Sequence, residues 1–151
     1  MSPSHWGPPI WALFHTMIEK VKEENFKTIG PQIFNLIKQI CQYLPCPDCA
    51  NHATIFLNRV NAKTILTKTN FKMMLFTFHN VVNRKKGYPI YNSVDLEKYS
   101  NYKLPEVFQS FAQTYNKKIG NLKLMNESMG RTRTLVFVSE WFKQNHEQFD
   151  S

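Results

Sequence analysis

The segment QYLPCPDCANH carries Cys46 and Cys49 around two residues, in a chain with one other cysteine, Cys41. Thiols at this spacing can ligate a metal, pack in a core, or join in a short ring as an exchangeable disulfide. Pro45 and Pro47 bracket Cys46. Proline has no N–H and suits the first turn of a helix, so Cys46 falls near an N-cap and Cys49 one turn inside. The partial positive charge of a helix start stabilises a thiolate, which favours the exchangeable pair. A structural zinc site takes about four Cys or His ligands. Cys46, Cys49 and His52 supply three and His79 a fourth, but there is no second CxxC and no close His pair. A thioredoxin-like site needs the pair after a strand, and these flanks read as helical.

A dithiol that gives up two electrons needs an acceptor, and the chain offers no second cysteine pair. Redox chemistry that side chains do not supply belongs to cofactors. No GxGxxG stretch is present, so a dinucleotide held in the Rossmann manner is not expected. A flavin would sit among helices instead. Suitable side chains recur at helical spacing: Trp11 with His15, His79 with Asn83 and the adjacent Asn80, and His52 one turn after Cys49. Aromatic rings stack on a planar heterocycle, and amides and imidazoles hydrogen-bond it.

Helices must position these groups. Only 5 Gly in 151 residues and long apolar-periodic stretches predict an all-α chain. Six helical segments are expected: 8–24, 31–44, 47–60, 70–86, 104–118 and 131–149. The second is predicted to open at Pro31 and to bury Ile33, Ile37, Ile40 and Leu44. Gly87 should stop the fourth. Residues 88–103 read as a loop and 120–130 as a linker. The last segment mixes strand-type Thr and Val with the helical spacing of Leu135, Val138 and Phe142, and the helix is favoured. The first four helices, joined by short connections, suggest a bundle. The composition, 42% hydrophobic with 12 Phe, supports a real core. No apolar run spans a bilayer. No secretory signal is visible, so a cytoplasmic setting is expected. The net charge of +8 comes from scattered residues, so a solvated surface is expected rather than a nucleic-acid face.

Together these motifs resemble the Erv/ALR-type FAD-linked sulfhydryl oxidases over about residues 5–100, most like the versions found in large DNA viruses. WGPPIWALFHTM resembles the family's Gly-x3-Trp-x3-His opening, through Gly7, Trp11 and His15. YLPCPDCANH resembles its active-site segment. HNVVNRKKGYP resembles its His-Asn-x-x-Asn-x3-Gly-x-Pro signature, through His79, Asn80, Asn83, Gly87 and Pro89. Tyr99 would match a flavin-contacting Trp.

The resemblance implies a four-helix bundle with a short fifth helix around FAD, usually as a homodimer. It implies oxidation of protein thiols, or of a dithiol carrier, with electrons passing to FAD and then to oxygen to give hydrogen peroxide. Cys49 would be the flavin-proximal sulfur, in adduct or charge-transfer contact with the ring, and Cys46 the sulfur attacked by substrate. Gly7, Trp11, His15, His52, His79, Asn80, Asn83 and Tyr99 would cradle FAD. Lys85 and Lys86 would meet its pyrophosphate. Tyr88 would lie there too, in place of a family Lys. No metal ligand is expected. The oxidase domain would span 1–103, with 104–151 a helical extension.

Two further departures stand out. Phe76 and Ser93 occupy the positions of a structural disulfide found in many members, and no shuttle cysteine pair is present. Cys41 reads as core. A non-catalytic helical binding module, zinc-stabilised or dimeric, and a flavoprotein with weak oxidase activity remain alternative readings.

Overall fold

The computed structural model describes residues 3–115 and 125–151. The six α-helices are α1 (Pro3–Lys20), α2 (Phe26–Gln42), α3 (Pro47–Asn58), α4 (Lys68–Lys86), α5 (Leu104–Tyr115) and α6 (Met125–Asn145). Short 3-10 segments cover Glu23–Asn25, Ala62–Ile65, Ser93–Asn101 and His146–Gln148. Among the described residues, β pairing is limited to one isolated antiparallel bridge between Val21 and Phe149. The chain is all-α, as its composition and periodicity predict.

Helix starts differ from expectation where prolines were read as openers. α2 begins at Phe26, and Pro31 lies inside it. Phe26 and Ile29 are buried and extend the apolar stripe through Ile33, Ile37 and Ile40. That burial outweighs the one helical bond that Pro31 cannot donate. α1 likewise begins before Pro8 and Pro9. Their fixed φ is helical, and the bonds they forgo lie within the first two turns. α1 also stops at Lys20, short of residue 24. α3 keeps its predicted start: Pro47 follows an N-cap at Cys46. α4 is capped by the Thr67 hydroxyl, which accepts from Asn70 N–H at 3.1 Å. Gly87 ends it in the left-handed region at φ +73, where a side chain would be strained.

α1 is the central helix. Leu13, Phe14, Met17 and Ile18 are fully buried. It packs against α4, against α5 and against the Ser93–Asn101 turns, while α2 packs against α3 and α6. The segment expected as a plain loop, 88–103, therefore contains a long 3-10 helix that covers α1. Its start is marked by Asp95, whose carboxylate accepts from Asn92 N–H at 2.9 Å.

The C-terminal helices join this core. Phe111 and Tyr115 are fully buried and stacked at 4.9 Å, and the Tyr115 hydroxyl donates to Ile40 O at 3.0 Å. Trp141 Nε1 donates to Gln32 Oε1 at 2.8 Å. α6 starts six residues before the predicted Arg131, and Gly130 lets it approach the Tyr43 ring, which an added Cβ would meet at 2.3 Å. Residues 116–118 of the predicted fifth helix and 120–124 of the predicted linker lie outside the described residues. The chain end is tied back to α1: Lys20 Nζ donates to Ser100 O at 2.7 Å and to Ser151 O at 3.1 Å.

Candidate active site

The dithiol sits where α3 begins. Cys46 is the N-cap, with extended backbone, and its sulfur accepts from Cys49 N–H at 3.2 Å. A thiol here replaces the Ser or Asp oxygen that usually caps a helix. All three cysteines are free thiols; Cys41 is buried, and Cys46 and Cys49 are half-buried. Burial pushes the Cys41 thiol far up, which disfavours its thiolate.

Cys49 faces a cavity of about 770 Å³ lined by α1, α3, α4, Cys41 of α2 and residues of the 88–102 stretch. Such a volume suits a sizeable cofactor. From α1 come Gly7 and Trp11, from α3 His52, and from α4 His79, Asn83, Lys85 and Lys86. Tyr88 and Tyr99 line the side formed by the following segment. Cys46, His15 and Asn80 do not line the cavity; Cys46 stays at the N-cap of α3.

His15 and Asn80 stand behind the wall. His15 Nε2 lies 3.0 Å from His79 Nδ1. The Trp11 and His79 rings stack at 4.1 Å, only 6° from parallel, and Tyr91 covers the other side of His79 at 4.4 Å. Burial holds both imidazoles below their usual range. For His15 the pKa falls to about 3, with nearby His79 and Lys98 adding to the effect of burial; for His79 it falls to about 4, with Lys98 adding. Two neutral rings share one hydrogen bond without charge repulsion. Asn80 clasps the Tyr91 backbone at both ends, donating to its carbonyl at 2.9 Å and accepting its N–H at 2.7 Å. Asn83 donates to Pro89 O at 3.2 Å. These amides hold the 88–91 segment in place.

Sequence reasoning missed Tyr91, Lys98 and Tyr102, which also line the cavity. The Tyr91 and Tyr99 hydroxyls are 2.8 Å apart, and Lys98 Nζ lies 5.5 and 5.2 Å from their ring centres. Tyr99 and Tyr102 are three residues apart, one turn of a 3-10 helix, and the Asn92–Asp95 start signal precedes them. Reading residues 88–103 as a loop concealed that periodicity.

The cavity can take FAD. Aromatic walls at Trp11, Phe78 and Tyr99 suit the planar rings, and Lys85, Lys86 and Lys98 bring cations suited to a pyrophosphate. A half-buried sulfur faces the same space. Among the described residues, no group of three His, Cys, Asp or Glu side chains is arranged to hold a metal ion.

A helical protein that turns one thiol of a CxxC pair toward a cofactor-sized aromatic cavity is built for two-electron thiol chemistry. Residues 8–103 match the Erv1/Alr family, and the chain belongs to that family. It is similar to an African swine fever virus FAD-linked sulfhydryl oxidase, 31% identical over 81 residues, covering 54% of this chain and 67% of that protein. A Fowlpox virus protein named a probable FAD-linked sulfhydryl oxidase is 28% identical over 83 residues, covering 55% and 80%. A rice FAD-linked sulfhydryl oxidase is 31% identical over 85 residues, covering 56% and 43%. No solved structure matches the chain with significance.

Proposed function

We propose that this chain is an FAD-dependent sulfhydryl oxidase that makes disulfides in protein substrates, of the kind carried by large DNA viruses. The observation that carries the reading is Cys49 on the wall of a cavity of about 770 Å³, with Cys46 off that wall at the N-cap of the same helix. A substrate thiolate attacks Cys46, forming a mixed disulfide and releasing Cys49. A second substrate thiolate then attacks the substrate sulfur, closing the product disulfide and freeing Cys46. The Cys46–Cys49 pair now holds two electrons. FAD held in the cavity would supply the two-electron acceptor for this dithiol and the route by which those electrons reach oxygen as hydrogen peroxide.

The chain's own residues bind and orient. Gly7, Trp11, His52, His79, Asn83, Tyr88 and Tyr99 line the cavity and would hold the flavin nucleotide, with Lys85 and Lys86 bringing positive charge. His15 and Asn80 act one layer back, fixing His79 and Tyr91. Neutral His15 and His79 keep the stacked wall uncharged.

Residues 1–103 form the oxidase unit, and 104–151 an extension that covers α1 and α2. Substrate reaches Cys46 directly or through a dithiol carrier protein, since the chain has no further cysteine pair. The family resemblance supports a homodimer, which light scattering would test, and the scattered placement of the basic residues supports a solvated surface rather than a nucleic-acid face. No described helix is long and apolar enough to cross a membrane.

The test is the visible spectrum of the purified full chain with oxygen uptake on a dithiol substrate. About one FAD per chain and one peroxide per disulfide are expected. A folded protein that refuses added FAD would end the reading.

A further inference from the structure

We propose that Lys86 is the catalytic cation of this site: its ammonium holds Cys49 as a thiolate when the incoming thiol opens the Cys46–Cys49 disulfide. The proposal rests on the thiol-oxidase reading and gives Lys86 a task beyond attracting a pyrophosphate. Lys86 is the last residue of α4, and its Nζ donates to Cys49 Sγ at 2.8 Å. Gly87, left-handed, ends the helix directly after it. The other lysines of the cavity are placed differently. Lys85 is exposed, and Lys98 lies over the Tyr91 and Tyr99 rings.

Cys49 needs such a partner. On balance the Cys49 thiol is held above its ordinary value: burial pushes it up, its hydrogen bond with Cys46 adds to this, and Lys86 pulls the other way. In return, the sulfur raises the Lys86 ammonium. The titratable groups acting directly on Cys49 are Cys46 on its own turn and Lys86 from α4. Asp48, His52, His79, Lys85 and Lys98 line the same cavity.

The step balances simply. Substrate RS⁻ bonds to Cys46 Sγ, the Cys46–Cys49 bond breaks, and its electron pair stays on Cys49 Sγ. The Lys86 ammonium neutralises that charge, so no proton need arrive at the half-buried sulfur. A better-stabilised leaving thiolate departs faster, and a stabilised reduced pair makes the disulfide more oxidising.

The test uses the full chain loaded with FAD. In a Cys46→Ala background, the iodoacetamide labelling rate of Cys49 is followed against pH by mass spectrometry, with Lys86, Lys86→Met and Lys86→Arg. Lys86→Met should move the midpoint upward and slow labelling at pH 7 about tenfold. Lys86→Arg should keep most of the parent rate. In the intact Cys46–Cys49 pair, measured without FAD and without oxygen, Lys86→Met should shift the glutathione equilibrium about tenfold toward the disulfide, roughly 30 mV. An unmoved midpoint and equilibrium in Lys86→Met would overturn the proposal. Should Lys86→Met not fold, Lys86→Gln is read the same way. If the parent proves to lack FAD or turnover, the functional reading fails separately, and the labelling contrast still judges Lys86.

Discussion

His15 Nε2 and His79 Nδ1 are 3.0 Å apart between two helices, and both rings are held neutral. Their folded pKa values, about 3 and about 4, lie below the ordinary 6.5. From pH 6.5 down to about 4 the unfolded chain therefore binds more protons than the fold. Stability is fully present above pH 6.5 and is lost as pH falls through that window. His15 alone should cost the fold on the order of 2 kcal/mol at pH 5, or roughly 4–8 °C in Tm. His15→Gln should lower the melting point at pH 7.5 yet flatten its decline toward pH 5. An equally steep decline in that variant would show that His15 is not buried in its neutral form.

Phe111 of α5 is fully buried against the α1 side of the core. Phe111→Ala should therefore cost about 3–5 kcal/mol and lower the melting of the entire chain, with flavin released in the same transition. Calorimetry followed alongside flavin fluorescence checks this. A separate early transition that leaves flavin bound would mean that residues 104–151 fold as an independent appendage.

Trp11 stacks on His79 and forms one wall of the cavity. Trp11→Ala removes that plane and should weaken FAD binding about tenfold or more, while Trp11→Phe should retain most of it. Equilibrium dialysis against FAD reads both. Unchanged affinity in Trp11→Ala would place the rings elsewhere.

The dithiol, its helix start and the Gly87 stop were legible in the sequence because each is a local device. Proline brackets Cys46, and glycine alone takes a left-handed φ readily. The pairs Trp11 with His15 and His79 with Asn83 were legible as helical spacings. Proline was also the misleading signal. Pro31 reads as a helix start, but buried Phe26 and Ile29 carry α2 back past it. Long-range geometry was not legible. Asn80 pairing with the Tyr91 backbone, Lys98 over two tyrosine rings and Lys86 against Cys49 all depend on how elements meet. Nor does a hydrophobic stripe say what it will cover, so the packing of α5 along α1 emerged only in the fold.

The most direct test of the central claim, that Cys49 delivers the electron pair to the flavin, is the anaerobic bleaching of the FAD-loaded protein after rapid mixing with dithiothreitol. The parent should lose its visible flavin absorbance in a fast phase, and Cys49→Ala, at equal FAD content, should bleach at least about a hundredfold more slowly. Equal bleaching rates in the two proteins would contradict the account.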